Sequence, residues 1–455
     1  MNLDLNKTNK VYLAGIGGIG LSALAYYFLN LEKQVVGSDL LESEITQRLV
    51  EKHVDIYFKQ KASNLTADID LFIYSSALPD DHPELARARE MKIPVVSYFE
   101  FLGLLSKNYK TIAVTGTNGK TSVTAMLGLA LEKAGLDPTV IVGSLVPAWN
   151  SNFRLGKSDI LVVEACEWRA HMLEIDLDVI VLTNIAEDHL DFYKNLDNIK
   201  KHFQKFVDKL PQDGVLFKNI DDTNSTNIKS KTKIINFGHN KQADYYFDNL
   251  EISKSTQKFD ILKNNNLLNN FSLIIPGEYN VYNAVSCVAV ADHLGANKHQ
   301  IWNSLHEFNG TWRRFENLGE YKSNIVISDY AHHPDSIKGL LKATKDFYPD
   351  KKLIAIFQPH HHNRTKTLLD DFAVSFDLAD QAIISEIYQV SGREDEKHED
   401  VSSQDLVNKI KNTKAWYAAD FDEVKNIFKK TNPVDSVLLF IGAGDIDDLA
   451  RELVK

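Results

Sequence analysis

Cysteine is nearly absent: Cys166 and Cys287 are the only two among 455 residues. Two thiols cannot make a disulfide framework, and both are expected to be reduced. Long apolar runs are also missing, none approaching the length of a membrane span. Residues 1–10 are polar and lack the apolar core of a signal peptide. Positive charge is in deficit, 51 Lys and Arg against 62 Asp and Glu, for a net charge of −11. That balance argues against non-specific nucleic-acid binding, although not against a local basic groove. Neither an internal repeat nor a heptad run is present. What remains is the composition of a soluble globular protein, 44% apolar and 25% charged, with a cytoplasmic location as the expectation. The length exceeds one ordinary core and suits three domains.

The stretch Thr115-Gly116-Thr117-Asn118-Gly119-Lys120-Thr121-Ser122 organises the rest. It follows a β-branched apolar run, Thr111 to Val114, and leads into a helical pattern from Val123 to Leu131. A strand feeding a Gly-containing turn and a helix N-terminus aims several N–H groups and the helix dipole at one place, which suits a polyphosphate. Lys120 would reach the β- and γ-phosphates, and the Thr121 hydroxyl would hold Mg²⁺. Val114 stands where the usual motif has its first Gly.

Before this stretch, Val11 to Ala14 reads as a strand turned into a helix by Gly15-Ile16-Gly17-Gly18-Ile19-Gly20. Gly15, Gly17 and Gly20 satisfy G-x-G-x-x-G, and a second strand, Gln34 to Gly37, ends at Ser38-Asp39, where a ribose-binding acid belongs. Only about one and a half mononucleotide-binding halves fit before Tyr109, so a mononucleotide or nucleotide-sugar site is expected rather than a dinucleotide site. The glycines alone are also compatible with tight helix–strand packing. A third strand at Asp70 to Tyr74, a helix from Pro83 to Glu90 and a strand at Pro94 to Ser97 finish this region, and Ser75 and Ser76, after the third strand, would be further contacts.

In the central region, Ile160 to Val163 is a strand ending in Glu164, and Val179 to Leu182 is another ending in Thr183-Asn184. Groups at the carboxyl ends of parallel strands share one crevice, which makes Glu164 and His189 candidate Mg²⁺ ligands beside Thr121. Residues 219–270 read as exposed antiparallel strands. Asn280 and Asn283 lie three apart on a helix and suit an amide or a base edge, with capping an equal reading for Asn280. A third βα stretch follows, with strand ends at Asp329-Tyr330-Ala331-His332-His333-Pro334 and Gln358-Pro359-His360-His361-His362-Asn363-Arg364. Zinc at these histidines is not expected, because no Cys accompanies them and adjacent His side chains seldom point at one centre.

Together these motifs resemble the Mur ligases, ATP-dependent amide ligases that build the peptidoglycan stem peptide. They include the phosphate loop, Val163-Glu164-Ala165, Thr183-Asn184-Ile185 with Asp188-His189, Asn280 with Asn283, Arg313-Arg314-Phe315-Glu316 and Asp329 to Pro334. The resemblance spans the chain in order, and that family uses the shorter phosphate loop. Gly15 to Gly20, Gly37-Ser38-Asp39, Ser75-Ser76-Ala77, Phe357 to His360 and Gly442 to Ile446 look most like members that attach L-alanine to UDP-N-acetylmuramate.

The resemblance implies an α/β fold of three domains. A Rossmann-like UDP-sugar domain would cover 1–107, a P-loop ATPase domain with a parallel sheet 108–317, and a Rossmann-like amino-acid domain 318–455. Gly116, Thr117, Asn118, Gly119, Lys120, Thr121 and Ser122 would bind ATP with Asn283, Arg314, Asp329 and Tyr330. Thr121, Glu164 and His189 would hold Mg²⁺. Gly15, Gly17, Gly18, Ile19, Gly20, Asp39, Ser75 and Ser76 would bind the UDP-sugar, and His360, His361 and Arg364 the amino acid. Lys120, Glu164, His189 and Arg364 would carry catalysis, through an acyl phosphate and with domain closure. The partners implied are small molecules, without nucleic acid or membrane, for a monomer or weak homodimer. Cys166-Glu167-Trp168-Arg169 departs from the family's Asp-Glu-Ser-Asp, and His361 replaces an Arg, so amino-acid selectivity is the open point. The rivals are a ligase recycling a tripeptide onto the same sugar nucleotide, an NAD-dependent dehydrogenase, and a non-catalytic nucleotide-binding regulator.

Overall fold

The computed structural model describes residue 5, residues 7–388 and residues 401–455. The chain is a three-domain α/β protein, and its described residues form three sheets. Strands β1 (Lys10–Ala14), β2 (Gln34–Ser38), β3 (Asp55–Tyr57), β4 (Leu71–Tyr74) and β5 (Val95–Ser97) form the first. They are all parallel, in the order β3-β2-β1-β4-β5. The edge strands β3 and β5 are only three residues each. Sequence reading missed β3 and the Glu44–Val50 helix before it, both short and weakly apolar.

The second sheet takes β6 (Lys110–Thr115), β7 (Thr139–Val146), β8 (Ser151–Arg154), β9 (Ile160–Glu164) and β10 (Val179–Leu182). It continues with β11 (Val215–Asn219), β12 (Lys233–Gly238), β13 (Tyr245–Ser253), β14 (Thr256–Lys263) and β15 (Asn266–Leu273). The order is β15-β14-β13-β12-β11-β10-β6-β9-β7-β8. The expected antiparallel character of residues 219–270 fails at its start, because β12 runs parallel to both β11 and β13. The third sheet holds β16 (Glu316–Tyr321), β17 (Asn324–Asp329), β18 (Lys352–Phe357), β19 (Gln381–Ser385), β20 (Lys414–Ala418) and β21 (Ser436–Ile441). Its order is β16-β17-β21-β18-β19-β20, parallel except for the β16–β17 pair. Both faces are covered. Val437, Leu439 and Ile441 enter one apolar cluster and Leu438 and Phe440 another, which is why β21 reads as one unbroken apolar run.

By compactness the chain divides into two units. One comprises residues 1–248, 260–271 and 282–305, and the other 249–259, 272–281 and 306–455. Among the described residues, no helix is long and apolar enough to cross a membrane.

Within the first unit, the Tyr98–Ser106 helix meets the turn at Trp168–Glu174. The Phe99 and His171 rings stack there at 3.9 Å and 8°. Burial, helped by Arg169, drops the His171 imidazole from 6.5 to about 4. The folded state therefore favours the neutral ring. Its contribution to stability is whole above pH 6.5 and drains away as pH falls from 6.5 toward 4. Denaturant titrations at pH 7 and pH 4.5 should show a smaller loss for His171→Phe than for the wild type. Equal losses would mean that the ring contributes nothing to acid sensitivity.

Candidate active site

Strand β6 lies between β9 and β10, with Val114 opposite Glu164 and Thr115 opposite Leu182. The loop after β6, Glu164 and Thr183 thus share the carboxyl edge of the sheet, where crevices of parallel sheets bind ligands. Gly119, at φ 85°, caps the Lys120–Lys133 helix in a left-handed conformation. A Cβ on Gly116 would lie 2.1 Å from Thr183 Oγ1, so only glycine fits. The loop is clamped from β10. Thr183 Oγ1 donates to the Asn118 carbonyl at 2.6 Å, Asn184 Oδ1 accepts from Asn118 N at 3.0 Å, and Thr117 N donates to the Asn184 carbonyl at 2.9 Å. The first helical bond runs from Val123 N to Gly119 O, which leaves the amides of Lys120, Thr121 and Ser122 without intrahelical acceptors. With the helix dipole they form an anion site. The Asn283 amide stands against this loop, its Oδ1 2.6 Å from where a Gly119 Cβ would be.

Lys120 Nζ donates to the Gly116 and Thr117 carbonyls at 2.6 and 2.9 Å and to Glu167 Oε1 at 2.9 Å. The two side chains of this ion pair are 13% and 5% exposed. Burial works against the ammonium, but Glu167, Cys166 and Glu164 outweigh it, so Lys120 titrates above the ordinary lysine value. Glu164 accepts from Thr121 Oγ1 at 3.1 Å and from Gly143 N at 2.7 Å. The ligand atoms of Glu167, Asp188 and His189 lie within 4.8 Å of one another, a grouping that could hold a metal ion. Glu164, bonded to Thr121, lies outside that grouping, whereas Glu167 and Asp188, not among the metal ligands expected from sequence, lie inside it. Tyr193 couples the two segments, donating to the Glu167 carbonyl and accepting from Ala170 N.

Of the departures from the family pattern, Cys166 is chemically quiet. Burial and the Glu167 charge push its thiol up to about 12. The Arg169 guanidinium lies 4.7 Å over the ring of its neighbour Trp168.

In the first sheet, Gly18 caps the Ile19–Asn30 helix at the end of the glycine turn. Asp39 is committed to that turn, its Oδ2 accepting from Gly17 N at 2.8 Å and its Oδ1 from Leu40 N at 2.8 Å. Asp39 therefore also shapes the turn. Ser75 packs against Gly15, and Ser76 follows it, half-buried.

The second unit holds the remaining predicted residues. Asp329 is buried, accepting from Phe315 N at 2.7 Å and Ala331 N at 2.8 Å. Burial raises its pKa against the opposing effect of Arg314. Tyr330 has Arg313 and Arg314 at 5.1 and 5.2 Å from its ring. Asn280 donates to the Pro276 carbonyl at 2.7 Å, in keeping with its reading as a helix-end residue. The His360 ring touches His361 at 4.1 Å and stacks on Tyr388 at 5.6 Å, a neighbour that nothing in the spacing pointed to. Arg364 lies on the His362–Thr367 helix and makes no ion pair with Asp370 or Asp371 among the described residues, Asp370 pairing instead with Lys409. None of His332, His333, His360, His361 and His362 belongs to a metal-type cluster among the described residues.

Family models match the whole architecture. They are the Mur ligase family catalytic domain over residues 10–110, the Mur ligase middle domain over 114–291 and the Mur ligase glutamate ligase domain over 313–444. The chain belongs to the Mur ligase family. Within it, the UDP-N-acetylmuramate–L-alanine ligase of Caldanaerobacter subterraneus subsp. tengcongensis is 38% identical, over 100% of this chain and 99% of its own. That of Caldicellulosiruptor saccharolyticus is 39% identical over 96% and 97%. Among solved structures, the UDP-N-acetylmuramate-alanine ligase MurC from Thermotoga maritima matches at a TM-score of 0.85 and 30% identity, covering 98% of both chains. A murein peptide ligase from Psychrobacter arcticus shares the fold, at 0.72 and 21% identity over 98% of both chains.

Proposed function

We propose that this chain is an ATP-dependent ligase that joins L-alanine to the lactyl carboxylate of UDP-N-acetylmuramate in peptidoglycan precursor synthesis. The observation that carries the reading is the clamped loop before Lys120, with its free helix amides on one side and four acidic or imidazole groups on the other. The residues fit ATP and Mg²⁺. Glu167 meets Lys120 through both carboxylate oxygens, and its ligand atom also groups with those of Asp188 and His189, so two carboxylates and an imidazole would hold Mg²⁺ there. Bound there, Mg²⁺ would screen the phosphate charge from the attacking carboxylate. Lys120 and the amides of Thr121 and Ser122 would hold the oxygens of the transferring phosphoryl group. The acceptor carboxylate becomes an acyl phosphate, and the amine of alanine then displaces phosphate to leave the amide. Arg364 would grip the alanine carboxylate with two hydrogen bonds, and His360 and His361 would line that side. The domain limits 1–107, 108–317 and 318–455, and a cytoplasmic location, belong to this reading.

L-alanine is favoured over a tripeptide because ligases named for alanine are 38–39% identical along the chain, against 21% for the peptide ligase. Phosphate release from ATP should require UDP-N-acetylmuramate and should be fastest with L-alanine, with glycine and L-serine slower. Release with the tripeptide and none with L-alanine would overturn the assignment. In calorimetry of the same preparation, micromolar NAD binding without UDP-sugar binding would revive the dehydrogenase.

A further inference from the structure

Tyr98 opens the Tyr98–Ser106 helix, where a Ser97–Glu100 capping box fixes the chain. Its ring covers the third glycine of the nucleotide-sugar turn, with Tyr98 Cζ only 2.8 Å from where a Gly20 Cβ would be. Phe99 holds the ring edge-on at 4.9 Å and itself stacks on His171, in the turn that follows Glu167. On its other side Tyr98 is close enough to Glu164 and Cys166 to feel both. The side chain thus packs on the glycine turn within electrostatic reach of Glu164, at the end of β9. Its hydroxyl has no hydrogen-bond partner among the described residues, and the ring is only half-buried. The phenol is therefore free to donate to a ligand that enters beside the glycine turn.

We infer that the Tyr98 hydroxyl donates a hydrogen bond to the acceptor carboxylate of the sugar nucleotide, holding it between the glycine turn and the phosphate loop. The inference rests on the ligase reading. The partial burial of the ring, reinforced by Glu164 and Cys166, keeps the phenol protonated far above neutral pH, so it serves as a donor throughout the working range. Gly20 then has a second use besides the turn: it leaves room for the ring that reaches the carboxylate.

Tyr98→Phe keeps the ring on Gly20 and removes only the donor. Calorimetry on the full chain compares UDP-N-acetylmuramate with UDP-N-acetylglucosamine, which lacks the lactyl carboxylate. The variant should lose about ten- to hundredfold in affinity for the first ligand, as expected for a hydrogen bond to a charged group, and nothing for the second. The KM for ATP should not move. Equal losses on both ligands would reduce Tyr98 to packing, and no loss on either would remove it from the site. Wild type failing to bind UDP-N-acetylmuramate would bring down the ligase reading and the inference together, an outcome visible before the variant is made. A melting temperature matching wild type confirms that the variant is folded.

Discussion

Replacing Lys120 with alanine is expected to abolish ligation, by about a thousandfold or more, because the proposed mechanism gives Lys120 the oxygens of the transferring phosphoryl group. It should also lower stability. Glu167 is 5% exposed and loses its ion-pair partner, and a buried carboxylate stripped of its cation costs about 3–5 kcal/mol. The two effects can be separated. Lys120→Met with Glu167→Leu replaces the pair with apolar groups and should recover most of the melting temperature without recovering turnover. UDP-sugar binding should survive in both variants, because the glycine turn belongs to a different sheet. A large loss of UDP-sugar affinity would show that the sites are not partitioned in this way. An unchanged melting temperature in Lys120→Ala would show that Glu167 is less committed to Lys120 than its distances suggest.

The second large effect concerns the divalent ion. Glu164→Ala and His189→Ala should raise the Mg²⁺ requirement and lower turnover, and Glu167→Gln should do so most. Glu167 brings the oxygen that groups with Asp188 and His189, whereas Glu164 is occupied by Thr121 and Gly143. A shift of at least about tenfold in the Mg²⁺ midpoint is expected for Glu167→Gln, since an amide oxygen replaces a charged hard ligand. Turnover measured across a Mg²⁺ titration at saturating ATP decides the matter. Curves that superimpose on wild type for all three variants would return these residues to a purely structural role.

Much of this site was legible because it is written in local spacing. A strand, a Gly-containing turn and a Lys-Thr helix start occupy consecutive residues, and the backbone forms them without reference to distant segments. The same holds for Pro83–Glu90, which begins and ends where the sequence places it. What escaped was set by pairing between remote segments. Glu167 reads as part of a departure from a family pattern, and only the approach of Lys120 and Asp188 gives it a role. Asp39 reads as a ribose acid, yet its partner is Gly17, 22 residues earlier, through a bond that no periodicity encodes. Tyr388 and His360 meet across two strand ends. The β12 strand was assigned the wrong direction because its alternation reports one exposed face, not the orientation of its neighbour.

The lengths of the edge strands bear on how the chain survives synthesis and heating. In the first sheet both edges are three-residue strands, too short to template pairing with another molecule. The ten-stranded sheet ends on β15, eight residues with Leu267 exposed and no lysine, proline or acidic side chain to discourage a visitor. Aggregation in a concentrated or warmed sample would therefore begin at β15. A single lysine at Leu267 would blunt that edge at a point well separated in sequence from every residue assigned to catalysis.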